Sequence, residues 1–147
     1  MVDILHRVGV KSHSVDDVYA TLTSVDTLAG WWASDTKGDA GAGGVIEFRF
    51  TAGGFDMKVV DLQPGKRVLW EVVGGPEEWI GTEVVWDLKR EDGYTIILFK
   101  HQGWKEAGEF MHHCSTKWAT YLLSLKQLVE TGTGAPDPHE LRIGNWL

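Results

Sequence analysis

The stretch that decides the fold runs from Glu106 to Thr131 and reads EAGEFMHHCSTKWATYLLSLKQLVET. At about 100° per residue its large apolar side chains fall within one third of a helix circumference, whereas Glu109 and Lys126 lie off that arc. The apolar residues of the arc are Phe110, Met111, Cys114, Trp118, Tyr121, Leu122, Leu125, Leu128 and Val129. Gly132 follows, where a helix can end in a left-handed turn. The pattern predicts one helix about 39 Å long, which needs a broad apolar surface to lie on.

The residues before this helix supply such a surface, because they alternate as β-strands do. The first alternating segment runs from Ile4 to Lys11. Two short helices are then predicted, from Ser14 to Thr23 and from Thr27 to Trp32. Five further segments lie near residues 46–50, 55–59, 67–73, 82–88 and 94–102. Short turns join these five in succession, which is typical of an antiparallel meander. The sequence therefore predicts an α+β, helix-grip fold with a six-stranded curved antiparallel sheet, two short helices and one long C-terminal helix.

Length and charge limit the classes of protein and partner. A chain of 147 residues predicts a single domain over 1–147, with a core from about 4 to 132 and an irregular tail over 133–147. Three apolar residues near the end of that tail, Ile143, Trp146 and Leu147, could fold back onto the surface. The net charge is −7, with 21 acidic and 14 basic residues and no basic cluster. Nucleic-acid and membrane-surface partners are therefore not expected.

The sequence also indicates where the protein resides. Its one cysteine, Cys114, excludes an internal disulfide and agrees with a reducing compartment. No apolar run approaches the roughly 18 residues of a membrane-spanning helix, and the first residues lack the features of a signal peptide. We therefore expect a cytoplasmic protein.

Two short patterns suggest a metal or a cofactor, and neither has the required spacing. His112, His113 and Cys114 are consecutive, so on a helix they point about 100° apart and do not converge on one ion. The glycine-rich run over 38–44 has no Gly-Lys-Ser/Thr after it and leads into a strand. We therefore expect no metal site and no cofactor.

Several motifs carry a resemblance to a known superfamily. They are PG at 64–65 before VLW at 68–70, TEVVW at 82–86, ILFKHQGW at 97–104, WATYLLSLK at 118–126 and ETG at 130–132. From about Ile4 to Gly134 the chain resembles the START-like (SRPBCC) superfamily, in the bacterial branch similar to the carboxy-terminal domain of the Hsp90 ATPase activator. One departure is Lys117, where many relatives have a glycine. The resemblance implies a deep, mostly apolar cavity between the sheet and the long helix.

Strand alternation and helical phase, read with this resemblance, point a set of large side chains at one interior. The candidate ligand-binding residues are Trp32, Phe48, Trp70, Trp86, Ile97, Phe99, His101, Cys114, Trp118 and Tyr121. Aromatic walls with few polar groups are typical of ligand pockets. His101 is the titratable member, and it either gives a ligand a polar contact or is a satisfied structural histidine. No catalytic residue can be assigned, because no nucleophile–base pair is evident.

Three functions from different classes remain. The first is a carrier or sensor that binds a small apolar or aromatic molecule in the cavity. The second is a cavity enzyme of the cyclase, dehydratase or hydrolase kind, as the resemblance implies for some members. The third is a co-chaperone-like module that binds another protein. The missing catalytic pair favours the first, and a homodimer remains open.

Overall fold

The computed structural model describes residues 1–51 and 53–146. Within them the chain forms seven strands and three helices. In chain order these are β1 (Val2–Lys11), α1 (Asp16–Leu22), α2 (Val25–Ala29), β2 (Asp35–Gly38), β3 (Val45–Phe50), β4 (Gly53–Gln63), β5 (Arg67–Gly74), β6 (Glu83–Glu91), β7 (Tyr94–Trp104) and α3 (Glu109–Thr131). This order, with one long helix after a run of strands, confirms the predicted α+β helix-grip architecture.

All strands form one antiparallel sheet in the order β1-β7-β6-β5-β4-β3-β2. The strands from β2 to β7 follow one another as a meander, and β1 closes the other edge by pairing with β7. Alternation on β7 has the predicted consequence, because Ile97 and Phe99 are fully buried whereas Leu98 is exposed. The buried face of the sheet is the surface on which α3 lies.

The sheet has seven strands, so the prediction of six was wrong by one. The additional strand is β2, whose residues Asp35–Gly38 pair with β3. Only Thr36 of this strand is buried, and its neighbours are charged or glycine. Such a short polar segment has no apolar alternation to detect, and charged residues are common on an edge strand. Pairing with β3, and not its own pattern, makes it a strand.

The long helix is confirmed, but it begins at Glu109 and not at Glu106. Gly108 precedes it with an extended backbone, and glycine is a poor helix former, so the three residues before Glu109 stay outside. The helix ends as predicted. Gly132 adopts a left-handed conformation with φ 90°, and its N–H donates to the Leu128 carbonyl at 2.9 Å. No helix among the described residues is long and apolar enough to cross a membrane.

The two short helices are present, with shifted limits. The first begins after Ser14, and the Asp17 carboxylate accepts the backbone N–H groups of His13 and Ser14 at 2.9 and 3.2 Å. The second ends at Ala29, before the predicted Trp32. Gly30 is its C-cap, and the tryptophan pair that follows turns into the core. These helices and α3 cover the concave side of the sheet.

Candidate functional site

An open cavity of about 390 Å³ lies at one end of the space between α3 and the sheet. Five parts of the chain form its walls: the amino-terminal half of α3, the β3–β4 hairpin, the loop between β5 and β6, the tail after α3, and the turn after α2. The lining residues are Trp32, Phe50, Thr51, Gly53, Gly54, Phe55, Pro76, Trp79, Phe110, His113, Cys114, Lys117, Trp118, Tyr121, Asp137, Pro138, Glu140, Arg142 and Trp146. Aromatic residues are the commonest kind on the wall, and the charged groups come from α3 and the tail.

The tail is held in place by hydrogen bonds to distant parts of the chain. Ala135 N–H donates to Ser124 Oγ at 2.8 Å, and Asp137 N–H donates to the Trp32 carbonyl at 2.8 Å. At Gly134 a Cβ would lie 2.5 Å from the Gly30 carbonyl oxygen, so this close approach requires glycine. The tail therefore packs against the core and supplies one wall of the cavity. Trp146 folds back as the sequence suggested, and Leu147 lies outside the described residues.

Four of the ten candidate ligand-binding residues line this cavity: Trp32, Cys114, Trp118 and Tyr121. Trp32 and Trp118 have ring centroids 4.8 Å apart and form its floor. Burial raises the pKa of the Cys114 thiol to about 12, so the thiol is protonated at neutral pH. Burial and the nearby Glu140 also raise the pKa of Tyr121. This part of the site can give a ligand aromatic contacts and one phenolic hydroxyl.

The other six candidates lie beneath that floor and do not line the cavity: Phe48, Trp70, Trp86, Ile97, Phe99 and His101. They are buried and packed against one another. Trp70 and Trp86 meet edge to face at 5.5 Å, and Trp86 meets Phe99 in the same way at 5.0 Å. Direct ligand contacts by these residues stay a prediction.

His101 has partners in the protein for both ring nitrogens. Trp118 Nε1–H donates to Nδ1 at 3.0 Å, which places the ring proton on Nε2, 2.8 Å from the Thr82 hydroxyl oxygen. The Thr82 hydroxyl in turn donates to the Trp79 carbonyl. Burial lowers the pKa of His101 to about 3, so the ring is neutral at pH 7. This arrangement corresponds to the satisfied structural histidine, the second of the two roles considered for His101.

The consecutive triplet of the helix diverges, as its spacing predicts. The His112 ring bonds the Gly108 carbonyl through Nδ1 at 2.9 Å. His113 lies on the cavity wall between the rings of Phe110 and Trp146, 6.4 and 5.0 Å away. Among the described residues no group of three or more His, Cys, Asp or Glu side chains is placed to hold a metal ion.

A charged cluster at the cavity mouth joins α3 to the tail. Lys117 Nζ donates to Glu140 Oε1 at 3.3 Å, and the two side chains are 20% and 12% exposed. Asp137 accepts the N–H and hydroxyl of Thr51 at 3.3 and 3.4 Å. Burial, and then repulsion from Glu140, raise the pKa of Asp137. The mouth is thus polar and partly shielded from water, above an aromatic floor.

Sequence reasoning missed the cavity residues that come from turns and from the tail. Phe50 and Phe55 flank the β3–β4 turn, and Trp79 stands in the polar segment GGPEEWIGT between two strands. A tryptophan in such a polar loop is the sequence signal for Trp79, because tryptophan is on average highly buried, and Trp79 is 5% exposed in the structure. Glu140 had no such signal, because it belongs to an aperiodic segment.

The arrangement of sheet, long helix and cavity agrees with the comparison to known families. A family model described as "Activator of Hsp90 ATPase homolog 1-like protein" matches residues 12–130. The chain belongs to this family. The START-like, activator-like resemblance carried by the sequence motifs is thereby confirmed. The match ends before the tail that forms one wall of the cavity.

Solved structures show the same fold. The solution structure of the Aha1 dimer from Colwellia psychrerythraea is 46% identical, with a TM-score of 0.84 over 91% of this chain and 100% of that one. SSP2350 from Staphylococcus saprophyticus is 13% identical, with a TM-score of 0.74 over 90% and 95% of the two chains. CalU16 from Micromonospora echinospora is 20% identical, with a TM-score of 0.72 over 87% and 74%. The last two show the fold alone. No curated protein matches the chain.

Proposed function

We propose that the protein binds a small apolar or aromatic molecule in the cavity between α3, the β3–β4 hairpin and the tail, as a carrier or sensor. The observation that carries this proposal is an open volume of about 390 Å³ with aromatic walls. Ligand pockets typically have volumes of roughly 300–1,000 Å³ and combine apolar walls with a few polar groups. Trp79 and Trp118 stack on each other at this wall, with ring centroids 5.9 Å apart, and give it an apolar aromatic surface.

Binding should be measurable with a neutral aromatic compound such as naphthylmethanol. At a concentration about 100 times the Kd, the free energy of unfolding should rise by about 2.7 kcal/mol, because the ligand binds the folded state only. Calorimetric titration should give the Kd, and a higher thermal midpoint should show the gain in stability. Cys114→Phe places a ring in the cavity and should weaken binding at least about tenfold, through steric exclusion.

Leu123→Phe is the matched control, because Leu123 is 58% exposed on the same helix and lies away from the cavity. It should bind naphthylmethanol as the unmodified protein does. Circular dichroism would verify that both variants fold. Equal affinity of the two variants would contradict binding in this cavity.

No specific observation favours the cavity enzyme among the described residues. Cys114 is the thiol on the wall, and its raised pKa keeps it protonated. His113 packs against aromatic rings, and no hydrogen bond joins it to Cys114 within the described part of the chain. Among the residues that the structure describes, no surface feature favours binding of a different protein over binding in the cavity.

We also propose that two copies of the chain associate. The 46% identical Colwellia psychrerythraea protein is described as a dimer, which supports this proposal. Leu5 and Leu98 lie on neighbouring edge-side strands, 63% and 39% exposed, and offer an apolar contact on the outer face of the sheet. Sedimentation equilibrium should give twice the chain mass at high concentration.

Leu98→Lys should shift this equilibrium toward monomer, because it places a charge in the contact. Val45→Lys adds the same charge on β3, near the other edge of the sheet, where the exposed valine is 40% accessible. It should leave the mass unchanged. A monomer at every concentration, or equal effects of the two variants, would contradict this association.

A further inference from the structure

The tail supplies a wall of the cavity that the family match does not include. Five lining residues come from it: Asp137, Pro138, Glu140, Arg142 and Trp146. The family model ends at residue 130. Any selectivity that these side chains give the cavity therefore comes from a segment outside the family match.

Glu140 is the tail residue whose bonding is incomplete. Its Oε1 atom accepts Lys117 Nζ at 3.3 Å, whereas its Oε2 atom is buried and has no hydrogen-bond partner among the described residues. A buried carboxylate oxygen is strongly disfavoured without a donor. Because Glu140 lines the cavity, a turn of its carboxylate would present Oε2 to a molecule bound there, which could then supply that donor.

Two carboxylates and two cations stand at this end of the cavity: Asp137, Glu140, Lys117 and Arg142. Burial, and then the charges of Glu140 and Asp137, raise the pKa of Tyr121, and burial followed by the charge of Glu140 raises the pKa of Asp137. The Arg142 guanidinium belongs to an exposed residue and donates through Nε to the Gly144 carbonyl at 3.3 Å. Lys117 pairs with Glu140 through Oε1 only, and Asp137 forms no ion pair among the described residues, so both carboxylates keep acceptor capacity.

The aromatic walls favour a positively charged ligand group. Trp79, Trp118 and Tyr121 line the cavity, and an aromatic ring attracts a cation that lies over its face. Lys117 Nζ lies 5.7 Å from the Tyr121 ring centroid, so the protein's own ammonium group is next to this ring and a bound amine would compete with it. Aromatic rings and carboxylates together form a cavity wall suited to an organic cation.

We propose that the cavity selects a ligand with a protonated amine on an apolar or aromatic body, and that the amine donates to Glu140 Oε2. This inference rests on the proposed function and names the ligand class. The body occupies the aromatic floor, and the ammonium group lies at the mouth beside Glu140. Glu140 is thereby the specificity-determining residue of the site.

The test compares three compounds with one aromatic body: naphthylmethylamine, naphthylmethanol and naphthoate, which are cationic, neutral and anionic at neutral pH. Calorimetric titration of the full chain should give the amine about tenfold tighter binding than the alcohol, with naphthoate weakest. Glu140→Gln should weaken amine binding about tenfold and change alcohol binding by less than about twofold.

Two further variants separate this effect from folding and from net charge. Lys117→Met removes the competing cation and should tighten amine binding. This variant therefore tests the contact between the amine and the Glu140 carboxylate without altering Glu140. Glu106→Gln changes the net charge as Glu140→Gln does, but Glu106 does not line the cavity. It should leave all three affinities unchanged.

The outcomes distinguish this inference from the proposed function. If the amine and the alcohol bind equally, or Glu140→Gln weakens all three compounds alike, the inference is wrong and binding in the cavity stands. If naphthoate binds tightest, Lys117 and Arg142 dominate and the inference is likewise wrong. If none of the three binds, the proposed function fails with it.

Discussion

Trp118→Ala should lower the free energy of unfolding by about 3–5 kcal/mol, the range for emptying a large aromatic site in a core. Trp118 is 2% exposed, and its ring lies 4.6 Å from Phe99 and 4.8 Å from Trp32. It is the point where α3, the sheet and the turn after α2 meet. The change also removes the N–H donor of His101 Nδ1, which leaves a buried acceptor unpaired.

Urea titration of three variants would separate packing from hydrogen bonding. Trp118→Phe keeps an aromatic ring but loses the indole N–H. Its loss of unfolding free energy should therefore lie between those of Trp118→Ala and Leu123→Ala. Leu123→Ala removes a 58% exposed side chain from the same helix and should cost less than about 1 kcal/mol. Similar losses for Trp118→Ala and Leu123→Ala would mean that the helix is not held by this face.

Acidification should destabilise the protein through His101. The native pKa of this buried ring is about 3, whereas its ordinary value is 6.5. Between these values the unfolded chain binds a proton that the native ring does not, so stability rises with pH and falls on acidification. The contribution of His101 should fall by about 1.4 kcal/mol per pH unit between about pH 6 and about pH 4.

Other groups titrate in the same range, so the prediction concerns a difference between two proteins. His101→Asn keeps an acceptor near Trp118 but removes the titrating ring. At neutral pH the variant should be less stable, because the packing and the bond to Thr82 are impaired. The gap in unfolding free energy should narrow as the pH falls, since the effects of His113, Glu130 and Asp137 are common to both proteins. A gap that stays constant from neutral pH to about pH 4 would show that His101 does not resist protonation.

Much of the fold was predictable because it follows from short-range periodicity. The apolar arc of α3 could be read at helical spacing, and its members Trp118, Leu122 and Leu125 are buried as expected. Strand alternation likewise placed Ile97 and Phe99 on the concave face. Segments without an apolar period, such as β2 over Asp35–Gly38, escaped, because only their hydrogen bonds to a neighbour make them strands.

The candidate site was predictable in kind but not in position. Periodicity tells which side chains face the interior, but it does not tell how much volume remains once they interlock. Trp70 and Trp86 pack edge to face and close the middle of the interior, which leaves the open space at the end near Trp79. That outcome depends on rotamers and strand register, and both arise only when the elements pack together.

The sequence by itself determined the family, the helix-grip architecture and an aromatic interior, because each follows from local patterns and motifs. Only the tertiary structure decided where the cavity lies and which charges stand at its mouth. Glu140 faces α3 because the tail is fastened to residues far away in the chain, as in the bond from Ser34 N–H to the Asp137 carbonyl, 103 positions apart. Such contacts leave no period in the sequence, because each depends on a single pair of groups brought together by the fold.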